Sequence, residues 1–321
     1  MIQSGTIQEP PVQAREQLSH ELAKRLSPET LLRVGEPLAR RTTLRVGGPA
    51  DMYVEPVSEE DLAAILKFCA ENELKFFVLG RGSNLLVRDG GFRGVVICLA
   101  HANFGRIEFE GDRIRCGGGA KLKQVAVEAK RQGLSGVEFL EGIPGSVGGA
   151  LRMNAGAMGF WTFNVVESVR AMDYEGRILE KPAAELYVEY RCCPLFKDHV
   201  ALGAVLLCRA AAREEIEQRM NAYSQKRWQS QPAAPSAGCI FKNPESIPAG
   251  KLIDELGLKG TRIGGAVVSE EHGNFIVNDG GATARDVLEL IAVLKARARD
   301  ERGVELESEV EIIGESERLS G

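Results

Sequence analysis

Long apolar runs are missing from this chain. No stretch of its 321 residues approaches the ~20 apolar positions that a membrane-spanning helix needs. The amino terminus, rich in Gln and Glu and carrying Pro10-Pro11, lacks the charged-then-apolar pattern of a secretory signal. An excess of positive charge is missing too. Forty Lys and Arg against 45 Asp and Glu leave a net charge of −5, which argues against broad binding to nucleic acid or anionic membranes. Any phosphate this protein binds must then be held by local donors rather than by a basic face. Histidine is scarce: only His20, His101, His199 and His272 occur, none in a Cys-His signature, which speaks against a cysteine-protease arrangement. The seven cysteines include no CxxC pair, and adjacent Cys192 and Cys193 cannot easily bridge each other. Reduced thiols in a cytosolic protein, and no metal site, are the expectation.

Glycine, by contrast, is plentiful. Thirty-six glycines cluster in loops instead of spreading evenly, within an otherwise ordinary composition of 44% hydrophobic and 26% charged residues. The length suffices for two or three domains, each with its own core.

Residues 1–27 read as a polar extension with some helical character and no assigned chemistry. Short β-rich runs follow from Leu31. The pattern predicts a strand over 52–57, and Ser58-Glu59-Glu60-Asp61 as a capping box opening a helix to about Asn72. Strands are expected over 76–79 and 95–97, hairpin turns at 110–113 and 174–177, and a helix over 121–132 that stops at Gly133. This part, to Ala212, reads as two small sheet-containing lobes. A charged helix over 213–228 leads into a further domain over 213–321. It should contain strands at 265–268 and 274–277 and a helix capped by Thr283 and Asp286 that runs to about Arg302. A last strand over 306–313 would return toward the active site. The fold class is α+β, with no internal repeat.

Three loops carry the glycines. Gly80-Arg81-Gly82-Ser83-Asn84 follows a strand and could turn successive N–H groups toward a pyrophosphate. It is not a Rossmann fingerprint, because Leu85 stands where GxGxxG has its third glycine. By itself the pattern is weak and reads first as a plain tight turn. Thr42-Thr43-Leu44-Arg45-Val46-Gly47-Gly48 lies upstream, and Gly142-Ile143-Pro144-Gly145-Ser146-Val147-Gly148-Gly149-Ala150 lies downstream. Three such loops suit an extended dinucleotide lying across two lobes. Thr43, Gly80 to Asn84, Gly142, Pro144, Gly145, Ser146, Gly148 and Gly149 are the candidate contacts.

A second set of residues could carry chemistry. Arg191, after Tyr190, offers a planar fork for a carboxylate or enolate, unless it merely ends a strand in a surface ion pair. Ala237-Gly238-Cys239-Ile240-Phe241-Lys242-Asn243-Pro244 places a thiol on an exposed turn, with Lys242 near enough to favour a thiolate. A thiol of ordinary pKa, about 8.5, is mostly protonated at neutral pH and suits proton donation. Lys242 and Asn243 could bind polar or anionic groups, and Gly264-Gly265 would let a ligand approach the backbone. His272 is equally readable as a ligand contact and as a packed surface histidine. The alternation of Glu305, Glu307, Glu309 and Glu311 makes an acidic, solvent-facing strand edge, so by parity Glu309 faces water.

The order TTLRVGG, GRGSN, GIPGSVGGALRMNAGA, then Tyr190-Arg191, AGCIFKN and LESEV resembles the UDP-N-acetylenolpyruvoylglucosamine reductase family, in its shorter second type, from about Leu31 to Gly314. The resemblance implies a two-lobed FAD-binding region of the p-cresol methylhydroxylase-like fold and a C-terminal α+β substrate domain. It implies non-covalent FAD, NADPH, and reduction of UDP-N-acetylglucosamine enolpyruvate to UDP-N-acetylmuramate in cell-wall precursor synthesis. It assigns substrate activation to Arg191, proton donation to Cys239 and a catalytic carboxylate to Glu309, with Tyr190, Lys242, Asn243 and His272 as substrate contacts. The chain departs from the family pattern at Cys239, where serine is usual, and at Glu311, where arginine is common. An oxidase of the same fold and a non-catalytic nucleotide-sugar-binding protein are the competing readings.

Overall fold

The computed structural model describes residues 12–317. Its first lobe is a four-stranded sheet in the order Leu31–Pro37, Pro49–Glu55, Phe92–Cys98, Phe76–Leu79; the first pair is antiparallel and the other two parallel. Parallel strands buried on both faces need apolar residues at consecutive positions. Pro49–Glu55 has them. Met52 and Val54 face one core with Val95, Ile97 and the helix Glu59–Glu71, while Tyr53 and Val96 face another with Leu79, Leu85 and Val87. Ser58 caps that helix, accepting from Asp61 N at 3.1 Å, but the Asp61 carboxylate does not close the expected box; it accepts from Ser27 N and the Thr30 hydroxyl instead.

The amino-terminal segment is more than a polar extension. Val12–Ala23 is helical, and Leu22 is completely buried in the first lobe's core. Sparse apolar positions in a charged helix hide such docking from a composition reading.

The second lobe is a five-stranded antiparallel sheet in the order Ile178–Pro182, Val166–Asp173, His199–Leu207, Arg113–Gly117, Ile107–Glu110. Its core takes side chains from the helices Leu122–Arg131 and Val147–Met153. The charged helix Arg213–Ser230 contributes Ile216 and Met220 to the same core.

The C-terminal unit is a four-stranded antiparallel sheet, Ser236–Cys239, Phe275–Asn278, Ala266–Val268, Arg262–Ile263, packed on the helices Ala249–Glu255 and Ala284–Arg302. Its core also takes Leu44 and Val46 from a loop of the first lobe and Leu86 from the short strand Leu85–Val87. Thr283 and Asp286 form the expected capping box. A second cap comes from the first lobe: the Asp89 carboxylate accepts from the N–H groups of Ala284 and Arg285, both at 2.8 Å.

The last strand is shorter than its alternation suggests. Only Glu311–Ile313 is a strand, paired in parallel with Leu85–Val87, directly after the Gly80–Asn84 loop. Residues 303–307 are irregular, and the stretch before the strand meets the thiol segment through an isolated bridge, Phe241 to Ser308, and hydrogen bonds on either side of it, Lys242 N to Glu307 O at 2.9 Å and Glu309 N to Ile240 O at 2.8 Å.

Candidate active site

The glycine loops converge because glycine lets backbones touch. Gly82 has φ +60°, and a Cβ there would stand 2.7 Å from Arg41 O and 2.8 Å from Thr42 Cα. A Cβ on Gly80 would meet Ser146 Oγ at 2.9 Å, so the first and third loops abut. Thr43 ties the second loop in: its N–H donates to Gly82 O at 3.2 Å and its hydroxyl to Ser236 O at 2.7 Å, the latter just ahead of Cys239. Ser146 begins the Val147–Met153 helix and accepts from Gly149 N at 3.4 Å, while Gly148 packs on Gly118 through N–H···O at 2.7 Å. Pro144 and Gly145 make the turn before it, and Gly145 packs against Leu122. The glycines at 82 and 148 thus serve close backbone contacts within the protein, and Gly80 leaves room for the Ser146 hydroxyl, reasons for them that loop composition alone does not reveal.

This cradle retains free donors. The N–H groups of Arg81, Gly82, Ser83 and Asn84 have no hydrogen-bond partner among the described residues, and the buried Thr42 hydroxyl is unpartnered as well. Four successive neutral donors left without a partner suit the pyrophosphate of a dinucleotide such as FAD. The Asn84 side chain donates from Nδ2 to Glu309 O at 3.1 Å.

One residue here escaped the sequence reading. Arg227, in the last turn of Arg213–Ser230, donates from Nη1 to Gly142 O at 2.7 Å, and its buried Nε has no partner. Burial pushes the guanidinium pKa down, only partly offset by Glu141. No local signal distinguishes Arg227 from its charged neighbours on that helix.

Arg191, Glu309 and Cys239 come together from three segments. Arg191 does not end a strand. It sits in a tight turn with φ +57°, an uncommon conformation for a residue with a Cβ and one that collects at functional sites. Its Nε donates to Glu309 Oε1 at 2.6 Å, and Tyr190 OH reaches Glu309 Oε2 at 3.3 Å. The guanidinium lies over the Tyr190 and Trp161 rings, 5.0 and 5.4 Å from their centroids. Trp161 is a second residue the sequence reading missed. Gly156 makes room for it, since a Cβ at that position would lie 2.3 Å from the indole Cε3.

Glu309 overturns the parity argument: its side chain is 9% exposed. Strand alternation does not apply, because the backbone here is irregular and is fixed by Glu309 N donating to Ile240 O at 2.8 Å. The same contact brings Glu309 beside the thiol segment. Cys239 ends a strand and is partly buried rather than set on an exposed turn. Burial pushes its thiol up to about 11, with the Glu309 carboxylate adding to the shift and Arg191 opposing it. Lys242 does not favour a thiolate; it pairs with Glu307 at 2.7 Å on an exposed edge.

Other candidates have internal duties. Asn243 Oδ1 accepts from Ala249 N at 3.0 Å, at the start of the Ala249–Glu255 helix. His272 Nδ1 accepts from Asn274 N at 3.1 Å, and Asn274 in turn holds both the N–H and the C=O of Phe241 at 2.9 and 2.8 Å. Burial lowers the His272 pKa, so a neutral ring suits this acceptor role. Gly264-Gly265 is not an approach for a ligand. Cβ atoms there would collide with the Asp286 carboxylate at 2.4 Å and Ala282 N at 2.4 Å, so these glycines admit the Thr283–Asp286 cap. No helix among the described residues is long and apolar enough to cross a membrane, and no group of three or more His, Cys, Asp or Glu among them could hold a metal ion.

Residues 50–181 match the model of an FAD binding domain, and with the donor-lined cradle they define a flavin-dependent oxidoreductase. Residues 231–313 match the C-terminal domain of UDP-N-acetylenolpyruvoylglucosamine reductase. The reductase of Geotalea uraniireducens is 46% identical over 285 residues, 88% of this chain and 94% of its own length. That of Bacillus subtilis is 44% identical over 282 residues, 87% of this chain and 93% of its own. The Thermus caldophilus enzyme structure superposes with a TM-score of 0.77 at 39% identity, covering 88% of this chain and 98% of that one. The chain belongs to the UDP-N-acetylenolpyruvoylglucosamine reductase family, and the expected α+β fold with an FAD-binding region and a C-terminal family domain is the one found.

Proposed function

We propose that the protein reduces UDP-N-acetylglucosamine enolpyruvate to UDP-N-acetylmuramate with NADPH, a step in peptidoglycan precursor synthesis. The observation that carries this reading is the Arg191–Glu309 pair beside a protonated Cys239 thiol. Thr43, Gly80 to Asn84 and the Gly142–Gly149 loop would hold the FAD, with the unpartnered N–H groups of residues 81–84 on its pyrophosphate. When bound, FAD supplies a two-electron carrier that accepts hydride from NADPH and delivers it to the methylene carbon of the enol ether.

As that carbon gains hydride, the π pair shifts to the neighbouring carbon and its carboxylate. Glu309 occupies Arg191 through Nε, which leaves the two terminal amino groups as a fork for this developing charge. Tyr190 and Trp161 pack the guanidinium plane. Cys239 Sγ then gives its proton to the carbon next to the carboxylate, and the thiolate is reprotonated from solvent. Its raised pKa keeps the proton in place until charge builds. Arg227 would complement a phosphate near Gly142.

The test is a two-stage anaerobic experiment followed at the flavin absorption band. NADPH should bleach the flavin, and the enolpyruvyl substrate should restore it without stoichiometric peroxide. In Arg191→Lys, reoxidation should slow on the order of 100-fold, because a point charge lacks the fork's geometry. Bleaching should stay near the native rate. Equal loss in both stages would make Arg191 structural, and peroxide in step with NADPH would make the protein an oxidase.

A further inference from the structure

Arg152 lies in the last turn of the Val147–Met153 helix and reaches across to the terminal strand. Its Nη1 and Nη2 donate to the two carboxylate oxygens of Glu311 at 2.5 and 2.9 Å, a planar two-point grip. Glu311 N donates to Asn84 O at 3.1 Å, and Asn84 Nδ2 donates to Glu309 O at 3.1 Å. Glu309 and Glu311 are thus fastened to one loop, with the second also held from the helix.

The same helix end holds the opposite side of the site. Arg152 O accepts from Cys193 N at 3.1 Å, and Asn154 Nδ2 donates to Glu189 O at 3.2 Å. Those two bonds bracket the turn that carries Tyr190 and Arg191. One short helix end therefore touches the chain on both sides of the Arg191–Glu309 bond, by the Arg152 carbonyl and the Asn154 amide on one side and by the Arg152 guanidinium on the other.

We propose that Arg152 is a positioning residue: by gripping Glu311 it sets Glu309 against Arg191. With side chains 41% and 32% exposed, the ion pair adds little to stability, but its forked geometry specifies one placement. That matters because the backbone just before Glu311 is held by scattered bonds instead of a continuous ladder. Lys242 N to Glu307 O, Glu309 N to Ile240 O, Asn84 Nδ2 to Glu309 O and the Phe241–Ser308 bridge fix the main chain, and the Arg152 fork adds the side-chain grip beside them. The mechanistic consequence rests on the function proposed above; the placement itself does not.

The experiment uses the full-length, FAD-loaded protein carrying Arg152→Gln, Glu311→Gln, or the double reversal Arg152→Glu/Glu311→Arg. Two readouts are taken. The first is solvent exchange of the Arg191 Nε–H by nuclear magnetic resonance, with the signal assigned by its loss in Arg191→Lys. The second is the pair of flavin half-reactions. Each single change should speed Nε–H exchange about tenfold and slow substrate-driven reoxidation about tenfold, with flavin content and NADPH bleaching near native. The double reversal should recover most of both losses. Unchanged Nε–H exchange in Arg152→Gln overturns the proposal. So does equal slowing of both half-reactions with lost flavin, or a double reversal no better than its parents. Should the native protein fail to reduce the enolpyruvyl compound, the proposed function falls, and the Nε–H exchange still decides the role of Arg152.

Discussion

Cys239 is where residue-scale chemistry departs from the family pattern, and its surroundings say what the thiol can do. It is buried enough, and near enough to Glu309, to stay protonated up to a pH of about 11. A thiolate nucleophile would need the opposite environment, such as a nearby cation or helix N-terminus with little burial. Cys239→Ala should bleach with NADPH at the native rate, and reoxidise roughly 100-fold more slowly with substrate, the usual worth of a positioned general acid. Cys239→Ser should recover much of that rate. Reoxidation by the native enzyme should stay flat with pH and fall only toward about 11, a limb that the serine variant should lose. An alanine variant that reoxidises normally would reduce Cys239 to packing.

At the scale of elements, the C-terminal helix depends on the first lobe for its start. Asp89 accepts from Ala284 N and Arg285 N, adding to the helix's own Thr283–Asp286 box. Asp89→Ala should cost about 1–2 kcal/mol of unfolding free energy, as lost helix caps do, and should speed amide exchange at the start of Ala284–Arg302. Urea unfolding and hydrogen exchange check both. A change below about 0.3 kcal/mol would mean the capping box suffices alone. The short strand Glu311–Ile313 is a similar borrowed element, since its ladder partner Leu85–Val87 comes from a distant part of the chain.

For the whole molecule, buried thiols are one source of alkaline destabilisation. Burial pushes Cys69, Cys116 and Cys208 up to about 12 and Cys239 up to about 11. Their unfolded values lie near 8.5. Above that pH the unfolded chain releases protons that the folded chain retains, so stability falls as pH rises. The contribution is fully present below about 8.5 and is lost progressively toward about 12. Melting temperature should therefore drop between pH 7 and pH 10, and the drop should shrink in Cys69→Ala when each variant is compared with its own neutral value. Equal melting temperatures at both pH values would contradict this.

Much of this molecule is local, and the sequence determined that much by itself. Ser58 and Thr283 cap their helices through atoms three residues away, and hairpin turns close at Gly111 and Gly176 because glycine accepts their backbone geometry. Motif order likewise marked the three glycine loops and Arg191, Cys239 and Glu309, the three residues proposed to react, since the proposed chemistry needs those residue types wherever the fold puts them. Long-range facts had no local signal. Leu22 docks through a few apolar positions in a polar helix, and Arg227 and Trp161 matter only through Gly142 and Arg191, which are far away in sequence. Glu309 shows the division most sharply. Alternation sends it to solvent in any strand, but tertiary hydrogen bonds from Ile240 and Asn84 keep that stretch from being a strand and turn the carboxylate inward onto Arg191. A two-residue period is a property of extended backbone; which backbone is extended was decided by contacts that exist only once the two lobes and the C-terminal unit have packed.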